Sequence, residues 1–348
     1  MTNTQTAPLG LSRSGFLPDR TVHLHPLDRC NLACSHCYSS SSPARSTILP
    51  VDQMIAALPA LRAQGYGVIS LSGGEPLLYP GLARLSAAAR ALGFRVVAIS
   101  NGFRVTPHHP SLVAALDRIA ISFDGMQATH LAMRGHPRAW DAAIAALKQL
   151  KNIGTPAAAA FTVSTRSLGE VPEFVDMCAG LGVQSVQLRP LVLAGRAVQD
   201  AADAALSPAD LARLWMMGQT LSLAYQGEVS VHTDLAPAQA LAADRGAWDG
   251  ALASAALAGV AGAGLLSDVV NPLVITPQGL LRPFTYDFPS LFDLGHLSDL
   301  TPRRLPALQA HLPRIANLLR KTLDAVATED GFIDWFAYQR DQAVLELA

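Results

Sequence analysis

Three cysteines lie close together near the start of the chain: Cys30, Cys34 and Cys37, in the run CNLACSHCY. This spacing lets one short loop bring three thiolates to a single metal centre. A fourth thiolate would complete a tetrahedral zinc site or a cubic iron–sulfur cluster, whereas three leave one iron of a 4Fe–4S cluster without a protein ligand. An open iron can bind a molecule that reacts, so we interpret this loop as part of an active site.

The same loop allows a second interpretation. His36 lies between the last two cysteines, and three cysteines with one histidine form an ordinary ligand set for structural zinc. A non-catalytic zinc-binding protein is therefore the alternative from another functional class.

The composition limits the kind of protein that can carry this loop. The chain has 348 residues, of which 50% are hydrophobic, enough for one large α/β domain or two smaller ones. Its net charge of −1 indicates neither a nucleic-acid partner nor an anionic membrane surface. The only other cysteine, Cys178, lies among apolar residues at helical spacing, so we expect a core residue, no disulfide framework and a cytoplasmic location. Residues 1–20 lack an export signal, and the uncharged stretch 251–266 is too short to span a membrane.

Short apolar runs alternate with longer helical patterns from residue 21 to about residue 227. The predicted strands are 21–26, 68–72, 94–100, 118–123, 158–164 and 185–190. The predicted helices are 51–64, 82–92, 111–116, 138–153, 170–181 and 208–225, the last with Ser207 as its N-cap. This alternation predicts right-handed crossovers and an α/β fold, a partial (β/α)6 form of the TIM barrel.

The remaining chain has a different pattern. We predict an N-terminal segment at 1–20, the barrel at 21–227 and a small C-terminal α+β region at 228–348. In that region, apolar runs at 273–276 and 280–282 flank Pro277-Gln278-Gly279 and predict a hairpin. A stripe of leucines and one isoleucine predicts an amphipathic helix at about 306–326.

Polar or glycine-rich motifs follow several of the predicted strands. They are SGGEP at 72–76, SNG at 100–102, SFDG at 122–125 and RP at 189–190, and the cysteine loop itself follows the first strand. In barrels of this type the chemistry lies at the carboxyl ends of the strands. The motifs therefore predict one polar pocket, large enough for a nucleoside-sized ligand, beside the cysteines.

The cysteine loop and SGGEP together resemble the radical S-adenosylmethionine (radical SAM) superfamily. The run SFDG, followed by RG at 134–135 and AWD at 139–141, is similar to the branch of peptide-modifying enzymes with a SPASM or twitch extension. The resemblance covers residues 21–197 and extends faintly into the C-terminal region. It implies a 4Fe–4S cluster and S-adenosylmethionine (SAM) as cofactors, with reductive cleavage of SAM to a 5′-deoxyadenosyl radical.

The resemblance also implies roles for individual residues. Cys30, Cys34 and Cys37 would ligate the cluster. The residues implied around SAM are Glu75 with the Gly73–Gly74 backbone at the amino group, Asn101 and Ser122 near the ribose or carboxylate, Arg134 at the carboxylate, and Tyr38 and Val163 beside the adenine. The hydrogen or proton donor for the reaction is not singled out by the sequence.

The C-terminal region departs from the family pattern. Phe284 stands where relatives carry a cysteine, and Ala261 occupies another such position. No cysteine follows Cys178, so we expect no auxiliary cluster and a vestigial extension. Residues considered for substrate contact are His130 and His136 beside Arg134, and Tyr286, Asp287 and Phe288 after the hairpin, whereas His108 and His109 are expected in a surface loop.

The resemblance favours a ribosomally made peptide as substrate, to be crosslinked, epimerised or oxidised. A small molecule in natural-product or cofactor biosynthesis is the alternative within the same class. The implied partners are an electron donor such as flavodoxin or ferredoxin and, because few residues precede the first strand, a separate leader-peptide-binding protein.

Overall fold

Seven parallel strands follow one another along the chain and form one side of a ten-stranded sheet, whose other three strands come from the C-terminal region. The structure, a computed structural model, describes residues 20–106, 113–243 and 264–347. The parallel strands are β1 (Thr21–Leu24), β2 (Val68–Leu71), β3 (Arg95–Ser100), β4 (Arg118–Phe123), β5 (Ala157–Val163), β6 (Ser185–Pro190) and β7 (Ser230–Thr233). All six predicted strands are confirmed to within two residues at either end. The unpredicted strand β7 is a short edge strand that continues the sheet beyond residue 227.

Helices connect these strands. They are α1 (Val51–Ala63), α2 (Leu82–Ala91), α3 (Gln127–Arg134), α4 (Ala139–Asn152), α5 (Val171–Leu181), α6 (Ala197–Asp200) and α7 (Pro208–Ala224). Ser207 caps α7 as predicted, because its side chain accepts a hydrogen bond from the backbone N–H of Asp210. Helix α3 was not predicted, although Gly135, at φ 63°, ends it in the left-handed conformation typical of a helix C-terminus. The predicted helix at 111–116 lies partly outside the described residues.

The two faces of the sheet have different surroundings. In β4, Ile119, Ile121 and Phe123 are fully buried in the core, and Ser122 lies on the opposite face. His23 of β1 and Arg189 of β6 lie within electrostatic reach of each other, although four strands separate β1 from β6. In a flat sheet they would be about 24 Å apart. The sheet therefore curves, and the α/β fold is a partial TIM barrel whose inner face carries polar side chains.

The C-terminal region joins this sheet at the free edge of β1. Strand β9 (Leu273–Ile275) pairs with β1 in parallel, and β10 (Leu280–Pro283) and β11 (Gly295–His296) continue the sheet with antiparallel pairings. The predicted hairpin is therefore confirmed. Strands β8 (Ala236–Pro237) and β12 (Phe332–Ile333) form a separate pair. Because the sheet extends past residue 227 on both edges, the division of the chain at that residue stays a prediction.

The prediction of a single helix at 306–326 is wrong in one respect. The structure has two helices there, α10 (Leu305–Gln309) and α11 (Leu312–Val326), because Pro313 has no N–H to continue a helical ladder from the first helix. The leucine stripe is nevertheless buried as predicted. The other helices of the region are α8 (Ala238–Ala243), α9 (Leu266–Val269) and α12 (Trp335–Leu345). No helix within the described ranges is long and apolar enough to cross a membrane.

Candidate active site at the cysteine loop

The cysteine loop begins six residues after β1 ends, at the carboxyl edge of the parallel strands. Cys30, Cys34 and Cys37 are free thiols, and Cys34 is only 8% exposed. Burial raises the pKa of Cys30 to about 12 and also raises that of Cys34. The apo loop therefore holds at least two of the thiols protonated, and metal binding must displace those protons.

The glycine pair after β2 packs against the chain that leads into the cysteine loop. The backbone N–H of Gly74 donates to Leu27 O at 2.9 Å, and that of Glu75 donates to Arg29 O at 3.1 Å. A Cβ on Gly74 would overlap Arg29 O, and Gly73 adopts φ 98°, so both positions require glycine. The two glycines thus position the cysteine loop. Their predicted contact with the amino group of SAM stays a prediction.

Glu75 connects two of the polar motifs at the carboxyl ends of the strands, the one after β2 and the one after β3. Its carboxylate is buried and accepts hydrogen bonds from Ser100 Oγ at 2.8 Å, the Asn101 N–H at 2.9 Å and the Leu77 N–H at 3.1 Å. Burial raises the pKa of Glu75 against the opposing effect of these donors. Asn101 continues the chain of contacts, because its Nδ2 donates to Asn31 Oδ1 at 2.9 Å and lies 3.8 Å from Cys30 Sγ.

A buried carboxylate, Asp124, lies at the end of β4 and contacts three charged or titratable side chains. Arg134 Nε and Nη2 donate to it at 2.5 and 3.2 Å, and His36 Nε2 lies 3.0 Å from Oδ1. His130 Nδ1 lies 3.7 Å from Oδ2. Burial alone would raise the pKa of Asp124, but Arg134 and the two histidines outweigh it and hold that pKa well below its usual range.

This ion pair changes the interpretation of two predicted residues. Arg134 is occupied by Asp124 on two of its nitrogens, so its predicted contact with the SAM carboxylate stays a prediction and has to use the rest of the guanidinium. His36 directs Nε2 at Asp124, and its Nδ1 is buried with no protein hydrogen-bond partner. The sequence interpretation missed Asp124, whose only signal was the motif SFDG.

Aromatic residues from three parts of the chain meet beside the cysteine loop. His25 stacks on Tyr286 with ring centroids 4.6 Å apart, and Tyr38 contacts both rings edge-on, at 5.7 and 6.0 Å. Burial lowers the pKa of His25 to about 3, so this imidazole is neutral. Tyr286 follows β10, and the C-terminal extension therefore contributes a side chain to the site.

A second polar group lies on the inner face at β6 and β7. Arg189 Nε donates to Asp234 Oδ2 at 2.8 Å, and Gln187 Nε2 donates to both oxygens of Asp234 at 2.9 Å. Tyr38 and Asp334 lie within electrostatic reach of Arg189. Burial raises the pKa of Asp334 to about 6. The sequence interpretation noted only Arg189 here, because Asp234 follows the unpredicted strand.

The other residues named from the sequence divide into two groups. Ser122 lies on the inner face, but Val163 is fully buried on the same face of β5 as Phe161, so an adenine contact would have to come from its backbone. The residues that pack or pair away from the cysteines are Cys178 and Phe288, both in the core, His136 against Phe103, and Asp287 with Arg340. His108, His109 and Ala261 lie outside the described residues.

The donor set fits a 4Fe–4S cluster with SAM. Three buried polar atoms around the loop lack a protein partner, His25 Nδ1, Asp28 Oδ1 and His36 Nδ1, as expected where a polar cofactor supplies the missing partners. In the described part of the chain, no three His, Cys, Asp or Glu side chains converge on one metal ion. A cubic cluster does not require such convergence, since each thiolate binds its own iron.

Comparison with known proteins supports this interpretation. Residues 24–178 match the family model described as the Radical SAM superfamily. The sporulation killing factor maturation protein SkfB of Bacillus subtilis is 31% identical over 196 residues, which cover 55% of this chain and 48% of SkfB. The pre-heme d1 synthase of Dinoroseobacter shibae is 35% identical over 175 residues, 48% of this chain and 42% of that protein. The chain thus spans about half the length of these curated relatives.

Solved structures agree on the fold. Streptococcus suis SuiB bound to its precursor peptide SuiA superposes with a TM-score of 0.60 at 14% identity, over 87% of this chain and 73% of SuiB. Residues 24–178, the segment that matches the family model, contain the three cysteines, the glycine pair and Asp124. A 4Fe–4S cluster and SAM are accordingly the cofactors of this site, and structural zinc is set aside. Residues 24–178 of this chain therefore form a radical SAM domain.

Proposed function

We propose that this protein is a radical SAM enzyme that modifies a ribosomally synthesised peptide. The observation that carries the proposal is the loop of three thiols without a fourth, braced at the carboxyl edge of the parallel strands. When bound, the cluster and SAM supply a 5′-deoxyadenosyl radical that abstracts a hydrogen atom from the substrate. The chain's own residues hold the cofactors and the substrate and exclude water.

Named residues divide this work. Cys30, Cys34 and Cys37 hold the cluster, and Glu75 fixes the rim next to it through Ser100 and Asn101. The inner face of β4 and β5 is lined by small side chains, which leave space for a substrate: Ala120, Ser122, Ala158, Ala160 and Thr162. Arg189 of β6 and Tyr286, which stacks on His25 just after β1, are the proposed substrate contacts.

Two relatives support a peptide as substrate. SuiB was solved with its precursor peptide, and SkfB is a maturation protein for the sporulation killing factor. The likeness to a pre-heme d1 synthase keeps a small molecule of cofactor biosynthesis as the second candidate. A flavodoxin or ferredoxin as electron donor and a separate leader-peptide-binding protein are part of the proposal. The cytoplasmic location stays a prediction.

The test is anaerobic co-expression with a short precursor peptide encoded beside the gene. We expect about four irons per chain, release of 5′-deoxyadenosine from SAM, and a changed peptide: a loss of two hydrogens for a crosslink, or deuterium uptake for an epimerised centre. Cys34→Ala removes all three results, whereas the matched control Cys178→Ala, at a buried cysteine in α5, retains them. Release of 5′-deoxyadenosine with an unchanged peptide supports the small-molecule candidate. One zinc per chain and no SAM cleavage overturns the proposal.

A further inference from the structure

A segment after β6 lies directly on the cysteine loop. The backbone N–H of Arg196 donates to Cys37 O at 3.0 Å, its Nε donates to Cys34 O at 2.9 Å, and its Nη2 donates to Ser41 O at 2.7 Å. Arg196 therefore donates to two carbonyls of the cysteine loop, both of cluster ligands, and to a third, Ser41 O, just after the loop.

The residue before it permits this approach. Gly195 adopts φ 57°, and a Cβ there would overlap the carbonyl oxygens of Cys37 and Tyr38. Only glycine combines this backbone conformation with such close packing. The contact between the segment and the loop is thus specified by two adjacent residues.

The positive charge of Arg196 lies beside the carbonyl group of a cysteine that binds the cluster. Within the described residues no carboxylate pairs with Arg196, whereas Arg134, the other arginine near Cys34, is paired with Asp124. Arg196 Nε lies 2.9 Å from Cys34 O, so the positive charge of the guanidinium lies next to a residue that binds the cluster. A positive charge beside a metal site and hydrogen bonds to its ligands favour the more negative state of the metal.

We propose that Arg196 is a positioning residue of the cluster, which fixes the cysteine loop by its three hydrogen bonds and favours the reduced state by its charge. The proposal rests on the radical SAM assignment and concerns the one-electron reduction that must precede SAM cleavage. One electron from a reduced flavodoxin-type donor lowers the net charge of the cluster by one, and the guanidinium stabilises that added negative charge. No bond to Arg196 forms or breaks.

Two variants separate the hydrogen bonds from the charge. Arg196→Gln removes the charge and Arg196→Lys retains it, and neither can donate to Cys34 O and Ser41 O at once in the same geometry. Arg213→Gln, at an exposed arginine of α7, is the matched control. The first readout is the anaerobic rate at which 5,5′-dithiobis(2-nitrobenzoate) modifies the thiols of the apo protein. The second is the midpoint potential of the reconstituted cluster, measured by redox titration with electron paramagnetic resonance.

We expect both variants to react with the thiol reagent about tenfold faster than the wild type, because the loop opens more often. At a fixed applied potential, Arg196→Gln should reduce the ratio of reduced to oxidised cluster about tenfold, a shift of about 59 mV for one electron, and Arg196→Lys should restore most of it. The control should match the wild type in both readouts. Should Arg196→Gln fail to fold, Arg196→Lys and Gly195→Ala still test the positioning through thiol reactivity.

Equal thiol rates and equal potentials in wild type and Arg196→Gln would overturn the inference. A faster thiol reaction with an unchanged potential overturns the part of it that concerns charge. Neither readout requires a substrate, so an unmodified precursor peptide would contradict the proposed function and leave this inference intact.

Discussion

The buried ion pair of Asp124 gives a sharp test of how the site is held together. In Asp124→Asn the side chain keeps its shape but loses the charge that compensates Arg134, a residue that is only 8% exposed. Breaking a buried ion pair by removing one partner costs about 3–5 kcal/mol. With a slope of about 3 kcal/mol per molar urea, the midpoint of unfolding should fall by about 1 to 1.7 M.

The assay is anaerobic urea unfolding of the apo protein, followed by circular dichroism. The matched control is Asp203→Asn, which removes the same kind of partner from Arg166 in an exposed pair. Exposed pairs contribute little, so the control should leave the midpoint where it is. If Asp124→Asn shifts the midpoint no further than the control does, Asp124 does not anchor Arg134, and our account of the cluster of charges is refuted.

Three further predictions concern residues around the same loop. Burial holds the pKa of His25 at about 3, below the unfolded value of about 6.5, so stability present above pH 6.5 is lost as pH falls. His25→Asn should remove about 2 kcal/mol of that loss between pH 6.5 and 5, measured as the free energy of unfolding in urea at both pH values. The prediction is contradicted if this free energy changes equally in the two proteins between the two pH values. Gly74→Ala should displace Arg29 O and lower the iron bound on reconstitution at least twofold. The control Gly169→Ala, with no atom within 4 Å of its new methyl group, should bind iron normally, and equal iron contents in the two variants would count against a role of Gly74 in positioning the cysteine loop. Glu75→Gln places an amide NH2 group where the carboxylate accepts backbone N–H groups, so the dissociation constant for SAM, measured by equilibrium dialysis, should rise about tenfold. An unchanged dissociation constant would mean that Glu75 only holds β3 in place.

Local patterns were sufficient to predict most of the barrel. Near-continuous apolar runs such as β2 and β5 are typical of strands buried on both sides, and glycines end the helices between them. The helix α3 was missed because it has eight residues and no side-chain N-cap, so its only signal was Gly135. Strand β7 was missed because only Val231 in it is buried, and it is held by its pairing with β6 rather than by its own pattern.

The site was predictable where its residues share a short motif. The three cysteines and the glycine pair were found because each set lies within one short stretch of sequence. Asp124, His36 and Arg134 come from different loops and a helix, and their contact is set by tertiary packing that one sequence does not reveal. The same holds for Arg196, whose side chain donates to carbonyl groups 155 and 162 residues earlier in the chain.

The pairing of β9 with β1 has a consequence for how this extension can evolve. The main chain of Ile275 accepts a hydrogen bond from the His25 N–H, five residues before the first cysteine, and Phe284 packs on Phe288, which in turn packs on Phe292. The extension is thus attached by backbone pairing and by an aromatic core, neither of which depends on metal ligands. Mutation can exchange side chains there without releasing the edge of β1, whereas deletion of residues 273–283 would expose that edge and favour self-association.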